Sequence, residues 1–197
     1  MKFTIVLLTV LLSLSATAQE TAKCSLRAPE KCSTTSELFW APGTHNAIKA
    51  FLGNEDGHLL YRNPDGKAWQ DAFEVLSGPP NDRQSLANGW ILFGACRAHS
   101  CPEKGAVLLD PVGKILAVGM IGYRCGEPDP GAQKPCYKDA WLTVYMARTA
   151  PEQTVRSTMS DWAKAELDAQ PKSAGENPTT VGHFQIIPVG DKPSSRP

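Results

Sequence analysis

Three closely spaced apolar runs dominate the middle of the chain, at 90–95 (Trp-Ile-Leu-Phe-Gly-Ala), 104–110 and 114–123. Each is short, rich in aliphatic residues and bounded by turn formers, which is the pattern of strands. Between the last two, Asp110-Pro111-Val112-Gly113 puts proline second and glycine fourth in a tetrapeptide, which suits a type I turn and joins the runs as a hairpin. Leu92 with Phe93, and Leu108 with Leu109, place apolar side chains on both faces. The expectation is three neighbouring antiparallel strands in a sheet with helices packed over one side. Segments 141–146 and 183–187 read as further strands.

Helical periodicity is clearest from 149 to 169. Val155, Met159, Trp162, Ala163 and Leu167 fall on one face, and Thr149-Ala150-Pro151-Glu152 matches a capping box. Met159 and Trp162 suit a core stripe better than a cofactor contact. A shorter core-facing helix is expected from Thr44 as N-cap through Ala47, Ile48, Phe51 and Leu52, stopped by Gly53. His45, in its first turn, reads as a surface residue. Segment 68–76 is ambiguous, because Trp69, Phe73 and Leu76 suit a helix while Phe73 and Val75 alternate. Two turn tetrads, Asn54-Glu55-Asp56-Gly57 and Asn63-Pro64-Asp65-Gly66, bracket a short strand at 58–62. Their aspartates form turns rather than a calcium site, since no twelve-residue ladder closed by a glutamate is present. The segment 78–82 (Gly-Pro-Pro-Asn-Asp) reads as an exposed loop. The fold class is α+β.

The first residues set the compartment. Lys2, a short apolar run over 5–14 and Ala16-Thr17-Ala18 form a signal-peptide pattern cleaved before Gln19. The run is too short to span a bilayer comfortably, and the product is expected to be soluble and periplasmic or secreted, with no membrane anchor. The remaining order is an N-terminal extension over 19–42, a main domain over 43–170 and a C-terminal tail over 171–197. The tail is rich in Pro, Ser, Gly and Lys, and its last seven or so residues are expected to be disordered. Lys and Arg number 20, as do Asp and Glu, so there is no charge excess to mark a nucleic-acid or lipid-binding surface. Six cysteines in an exported chain read first as disulfides. Fifteen connectivities are open to six cysteines; short separations favour Cys24–Cys32, Cys96–Cys101 and Cys125–Cys136, each worth roughly 2–3 kcal/mol as a small ring.

The candidate chemistry is concentrated between two of the strand-like runs, in Cys96-Arg97-Ala98-His99-Ser100-Cys101. Closing Cys96 to Cys101 leaves few backbone conformations for the four residues between them and makes His99 project outward. A structural zinc site would need four ligands and a second knuckle, and covalent haem attachment needs Cys-x-x-Cys-His, so no metal or cofactor is expected. No activated nucleophile accompanies His99, because a disulfide sulfur is not a thiolate and Ser100 is a neighbour in sequence only. No phosphate loop or dinucleotide fingerprint occurs. Catalysis is therefore not expected.

The stretch 90–121 resembles the inhibitor of vertebrate lysozyme (Ivy) family, whose hallmark is a protruding Cys-x-x-His-x-Cys loop between two strands. Cys96, His99 and Cys101 match that pattern. The common family loop has Lys-Pro before the histidine and an acidic residue after it; here Arg97-Ala98 and Ser100 stand in those places. The resemblance implies an Ivy-like α+β domain over 43–170, with 68–76 as a strand by its place before the loop. It also implies an inhibitor of C-type lysozyme or a related muramidase, with His99 entering the active-site cleft and Arg97 and Ser100 meeting its rim. Homodimerisation is compatible with it. Loss of the proline and the carboxylate also fits an immunity or envelope protein that binds an endogenous cell-wall enzyme.

Overall fold

The computed structural model describes residues 23–57, 66–123, 140–170 and 180–190. The signal segment, the strand expected at 58–62, the Cys125–Cys136 ring and the last seven residues lie outside that set. A six-stranded sheet is formed, in spatial order, by β1 (Gln84–Ser85), β2 (Ile91–Arg97), β3 (Ser100–Leu109), β4 (Ile115–Tyr123), β5 (Ala140–Ala147) and β6 (Val181–Val189). The three central runs become β2, β3 and β4 as expected. The Gly113 amide closes the β3–β4 turn on the Asp110 carbonyl at 3.0 Å, and Asp110 Oδ1 accepts from Val112 and Lys114.

The sheet is mixed rather than antiparallel throughout. β1 to β5 pair antiparallel, but β6 runs parallel to β5. A parallel partner needs a crossover connection, and the helix α4 (Glu152–Asp168) lies between β5 and β6 in the chain and provides it. The five apolar residues that marked this helix, Val155, Met159, Trp162, Ala163 and Leu167, are its buried face.

Helices cover both faces of the sheet, which corrects the expectation of one. On one side α1 (Thr35–Trp40), α2 (Thr44–Leu52) and α3 (Ala68–Leu76) set Phe39, Ile48, Leu52 and Val75 against Phe93, Val107, Val118 and Tyr145. On the other, α4 packs on Leu92, Leu108, Ala117, Leu142 and Val144. All nine residues of β4 are buried, and a strand apolar on both faces needs cover on both.

Segment 68–76 is the helix α3, not a strand. Its alternation is confined to Phe73 and Val75, whereas Ala68, Asp71, Ala72, Val75 and Leu76 form a buried face at helical spacing. The helix α1 was not expected. Thr34 caps it by accepting from the Glu37 amide at 3.3 Å, and Glu37 reaches back to the Ser33 amide at 2.6 Å; Thr34-x-x-Glu37 is a capping-box spacing. Thr44 lies inside α2 rather than capping it, since Gly43 takes the cap position in the left-handed region. The Thr149 box also fails to form. Pro151 is the N-cap of α4, and the Thr149 hydroxyl accepts from Lys114 Nζ at 3.2 Å. With α1 and β6 contributing to the cores, the folded unit extends beyond 43–170 at both ends.

Candidate functional site

β2 and β3 are joined by a tight hairpin turn. Arg97 pairs with Ser100, leaving Ala98 and His99 as the two turn residues, and the register shifts by a bulge between Cys96 and Arg97. His99 has φ 64°, among the described residues the one positive value outside glycine. Histidine tolerates the left-handed region better than branched residues do, so the backbone turns there without glycine and presents an imidazole. Cys96 and Cys101 form the disulfide behind the turn, with Cα atoms 4.7 Å apart. Ala98, His99 and Cys101 are exposed, Ser100 is half-buried and Cys96 is buried. All six residues singled out in the sequence are thus brought together at one end of the sheet.

Arg97 is placed differently from the expectation. Its side chain is only 21% exposed and turns back onto the protein, with Nη1 2.7 Å from Glu103 and Nε 3.3 Å from Glu74 on α3. Burial pulls its pKa down, but the hydrogen bond and charge of Glu103, with smaller contributions from Glu74, leave it above the ordinary value. Arg97 therefore turns inward, tying β2 to Glu103 of β3 and, more weakly, the hairpin to Glu74 of α3, instead of facing outward.

The segment after α3 is a second brace. Its side chains are largely exposed, as expected for 78–82, yet its backbone is tied to β2: the Cys96 amide donates to the Pro79 carbonyl at 3.1 Å, and the Asn81 amide to the Gly94 carbonyl at 2.8 Å. Gly78 lies so close that a Cβ would sit 2.1 Å from the Cys96 carbonyl oxygen, so only glycine fits. On the opposite face Lys104 pairs with Glu166 of α4 at 3.0 Å, and Asn81 donates to the same carboxylate. Gln170 Nε2 donates to the Pro102 carbonyl at 3.3 Å and to the Tyr123 hydroxyl at 3.1 Å. The tip is held from both sides.

The Cys24–Cys32 disulfide also forms. It closes a loop whose Leu26 carbonyl meets Gly113 in the β3–β4 turn, at the far end of β3 from the hairpin, so its role is structural. Among the described residues no group of three His, Cys, Asp or Glu side chains is arranged to hold a metal. A shallow groove of about 400 Å³ between the β1–β2 turn and α4 is lined by Leu86, Leu92 and Trp162, with Asp161 its one ionisable group. What the hairpin offers chemically is a disulfide-closed turn with one exposed imidazole, a group able to donate a hydrogen bond and, when protonated, to pair with a carboxylate. No family model, curated protein or solved structure matches the chain.

Proposed function

We propose that this chain is an exported, non-enzymatic inhibitor of C-type lysozyme that inserts the 96–101 hairpin into the active-site cleft. The observation that carries the reading is the exposed His99 at the turn of a disulfide-closed hairpin braced on both faces. C-type lysozyme uses two carboxyl groups flanking the scissile bond, and an imidazole delivered between them is matched to both their charge and their hydrogen-bonding capacity. Because the hairpin is ordered before it meets a partner, little conformational entropy is lost on binding. Arg97 serves as a clamp in this reading, so the tip acts through Ala98, His99, Ser100 and the outer surface of Cys101. Two disulfides suit an oxidising compartment, and no helix among the described residues is long and apolar enough to cross a membrane.

The test is titration of the oxidised chain into a C-type lysozyme acting on peptidoglycan, beside His99→Ala. Wild type should abolish lysis stoichiometrically. The variant should lose about 2 kcal/mol or more of affinity, in the range of a buried hot-spot truncation, which is roughly thirtyfold. An unchanged inhibition constant removes His99 from the mechanism. Ala98 and Ser100, in place of a proline and an acid, favour a second reading in which the cleft belongs to an endogenous cell-wall enzyme. Inertness toward every C-type lysozyme, with capture of such an enzyme by the hairpin, would select it.

A further inference from the structure

The β2–β3 ladder is broken just short of its turn. Its pairs run without interruption from Ile91 with Leu109 to Cys96 with Lys104, and the next pair is Arg97 with Ser100. Three residues of β3, Cys101, Pro102 and Glu103, therefore face no residue of β2. Proline has no amide hydrogen to offer a ladder, and residues left unpaired in this way disrupt the strand pair locally. The tip that bears His99 is thus a short segment set beyond a gap.

The turn itself does not close that gap. Two-residue hairpin loops that match the twist of their strands have positive φ at the first central residue or at both. Here His99, the second, is positive and Ala98 is not. Positive φ at the second position alone is the pattern that splays the strands, and it holds a residue with a side chain in the costly left-handed region. Two links span the gap from β2 to β3 instead: the Cys96–Cys101 disulfide and the ion pair of Arg97 with Glu103 at 2.7 Å. The covalent one is also the more accessible of the two described disulfides. Cys101 is exposed with Cys96 buried behind it, whereas Cys24 is half-buried and Cys32 fully buried. Exchange requires a thiolate to reach a sulfur, so access decides which bond reacts first.

We infer that the Cys96–Cys101 disulfide is a redox latch, opened at Cys101 by a low-molecular-weight thiol, which sets whether the turn bearing His99 is ordered. The external thiolate attacks Cys101 Sγ and forms a mixed disulfide; the bond to Cys96 Sγ breaks, and its electron pair leaves on Cys96, which takes a proton from solvent. A second external thiolate then attacks the sulfur of the first, giving the external disulfide and releasing Cys101. Two external thiols are oxidised and two cysteines reduced. The six pairs from Ile91–Leu109 to Cys96–Lys104 are untouched, so the sheet persists and keeps the cysteines near each other. An external disulfide can therefore run the sequence backwards and close the latch. The latch is independent of which protein the imidazole meets.

The experiment exposes the full-length, oxidised chain to reduced glutathione or dithiothreitol, quenches aliquots by alkylation and reads each cysteine by peptide mass mapping. Amide hydrogen exchange and circular dichroism are recorded before and after. Cys96 and Cys101 should be alkylated roughly tenfold or more faster than Cys24 and Cys32, with the glutathione adduct on Cys101. Exchange should quicken over 97–101 and stay unchanged over 91–96 and 104–109, with a native spectrum. Comparable or slower opening of this bond, or an adduct on Cys96 alone, would overturn the inference. So would unchanged exchange at the tip once the bond is open, which would show that the ring does not order the turn. Loss of the native spectrum on opening would make the bond a staple of the whole fold and refute the latch. The double variant Cys96→Ser, Cys101→Ser should show the quickened tip exchange with or without thiol; a tip that still responded to thiol in this variant would place the switch elsewhere and refute it as well.

Discussion

Arg97→Ala separates a clamp from a contact residue. In the structure the guanidinium holds Glu103, which is 13% exposed, and Glu74, which is 56% exposed. Removing it leaves Glu103 largely desolvated with its charged hydrogen bond gone, at a cost of about 1.5–3 kcal/mol. The Glu74 pair is mostly solvated and adds no more than about 0.5 kcal/mol. The expected destabilisation is therefore about 2–3 kcal/mol. Urea slopes for small proteins are about 1–3 kcal/mol/M, so the equilibrium midpoint of the oxidised chain should fall by roughly 0.7–3 M. Arg97→Lys should recover only part of this, because a lysine cannot reach both carboxylates with a rigid fork. A double-mutant cycle with Glu103→Ala should return a coupling energy well above that of a cycle with Glu74→Ala. The pKa of Arg97 is raised in the folded state, so its contribution is complete below the ordinary arginine value and is lost only as pH climbs into strong alkali. The arginine therefore gives the loss no pH dependence across the neutral range. A destabilisation below about 0.5 kcal/mol together with a tenfold weaker inhibitor would refute the clamp and return Arg97 to the binding surface.

Two further substitutions probe the braces. Gly78→Ala drives a methyl group into the Cys96 carbonyl and the Ala98 amide, both backbone atoms, and should cost about 1–3 kcal/mol by overpacking, read as a lower thermal midpoint; a neutral result would show that the brace shifts freely. Replacing Cys96 and Cys101 together by serine opens a ring that loop entropy values at about 2 kcal/mol, and inhibition should weaken beyond that stability loss because the tip is no longer ordered in advance. Equal inhibition by the two forms at a temperature where both are folded would show that the ring plays no part in binding.

Much of the fold is legible in the sequence where a single element dictates its own pattern. The buried face of α4 is named correctly by five apolar residues, and β2 to β4 follow from apolar runs punctuated by Asp110-Pro111-Val112-Gly113. Legibility fails where another part of the chain decides. The doubly apolar strands were compatible with the expected cover on one side, and the second covered face is set by the β5–α4–β6 crossover, which places α4 opposite the other helices. Phe73 and Val75 mimic alternation in α3, although Trp69, Phe73 and Leu76 carry the helical period. Six residues of α1 are too few to show a period, and the Thr34-x-x-Glu37 spacing is its one local signal. At the site, Cys96, His99 and Cys101 reveal a closed loop, while the inward turn of Arg97 is set by Glu74, distant in sequence, and by Glu103.

The hairpin also bears on how the correct cysteines find each other. Six cysteines compete for partners during oxidation, and thiol exchange takes seconds to hours, whereas a β-hairpin forms in roughly 1–10 μs. β2 and β3 are joined by two residues and pair along their length from Ile91 with Leu109 to Arg97 with Ser100, so this zipper closes many times before any sulfur reacts. Each closure returns Cys96 to Cys101 and holds both away from more distant thiols. The backbone thus selects this pairing before the chemistry begins, and an oxidant need only seal a choice the strands have already made.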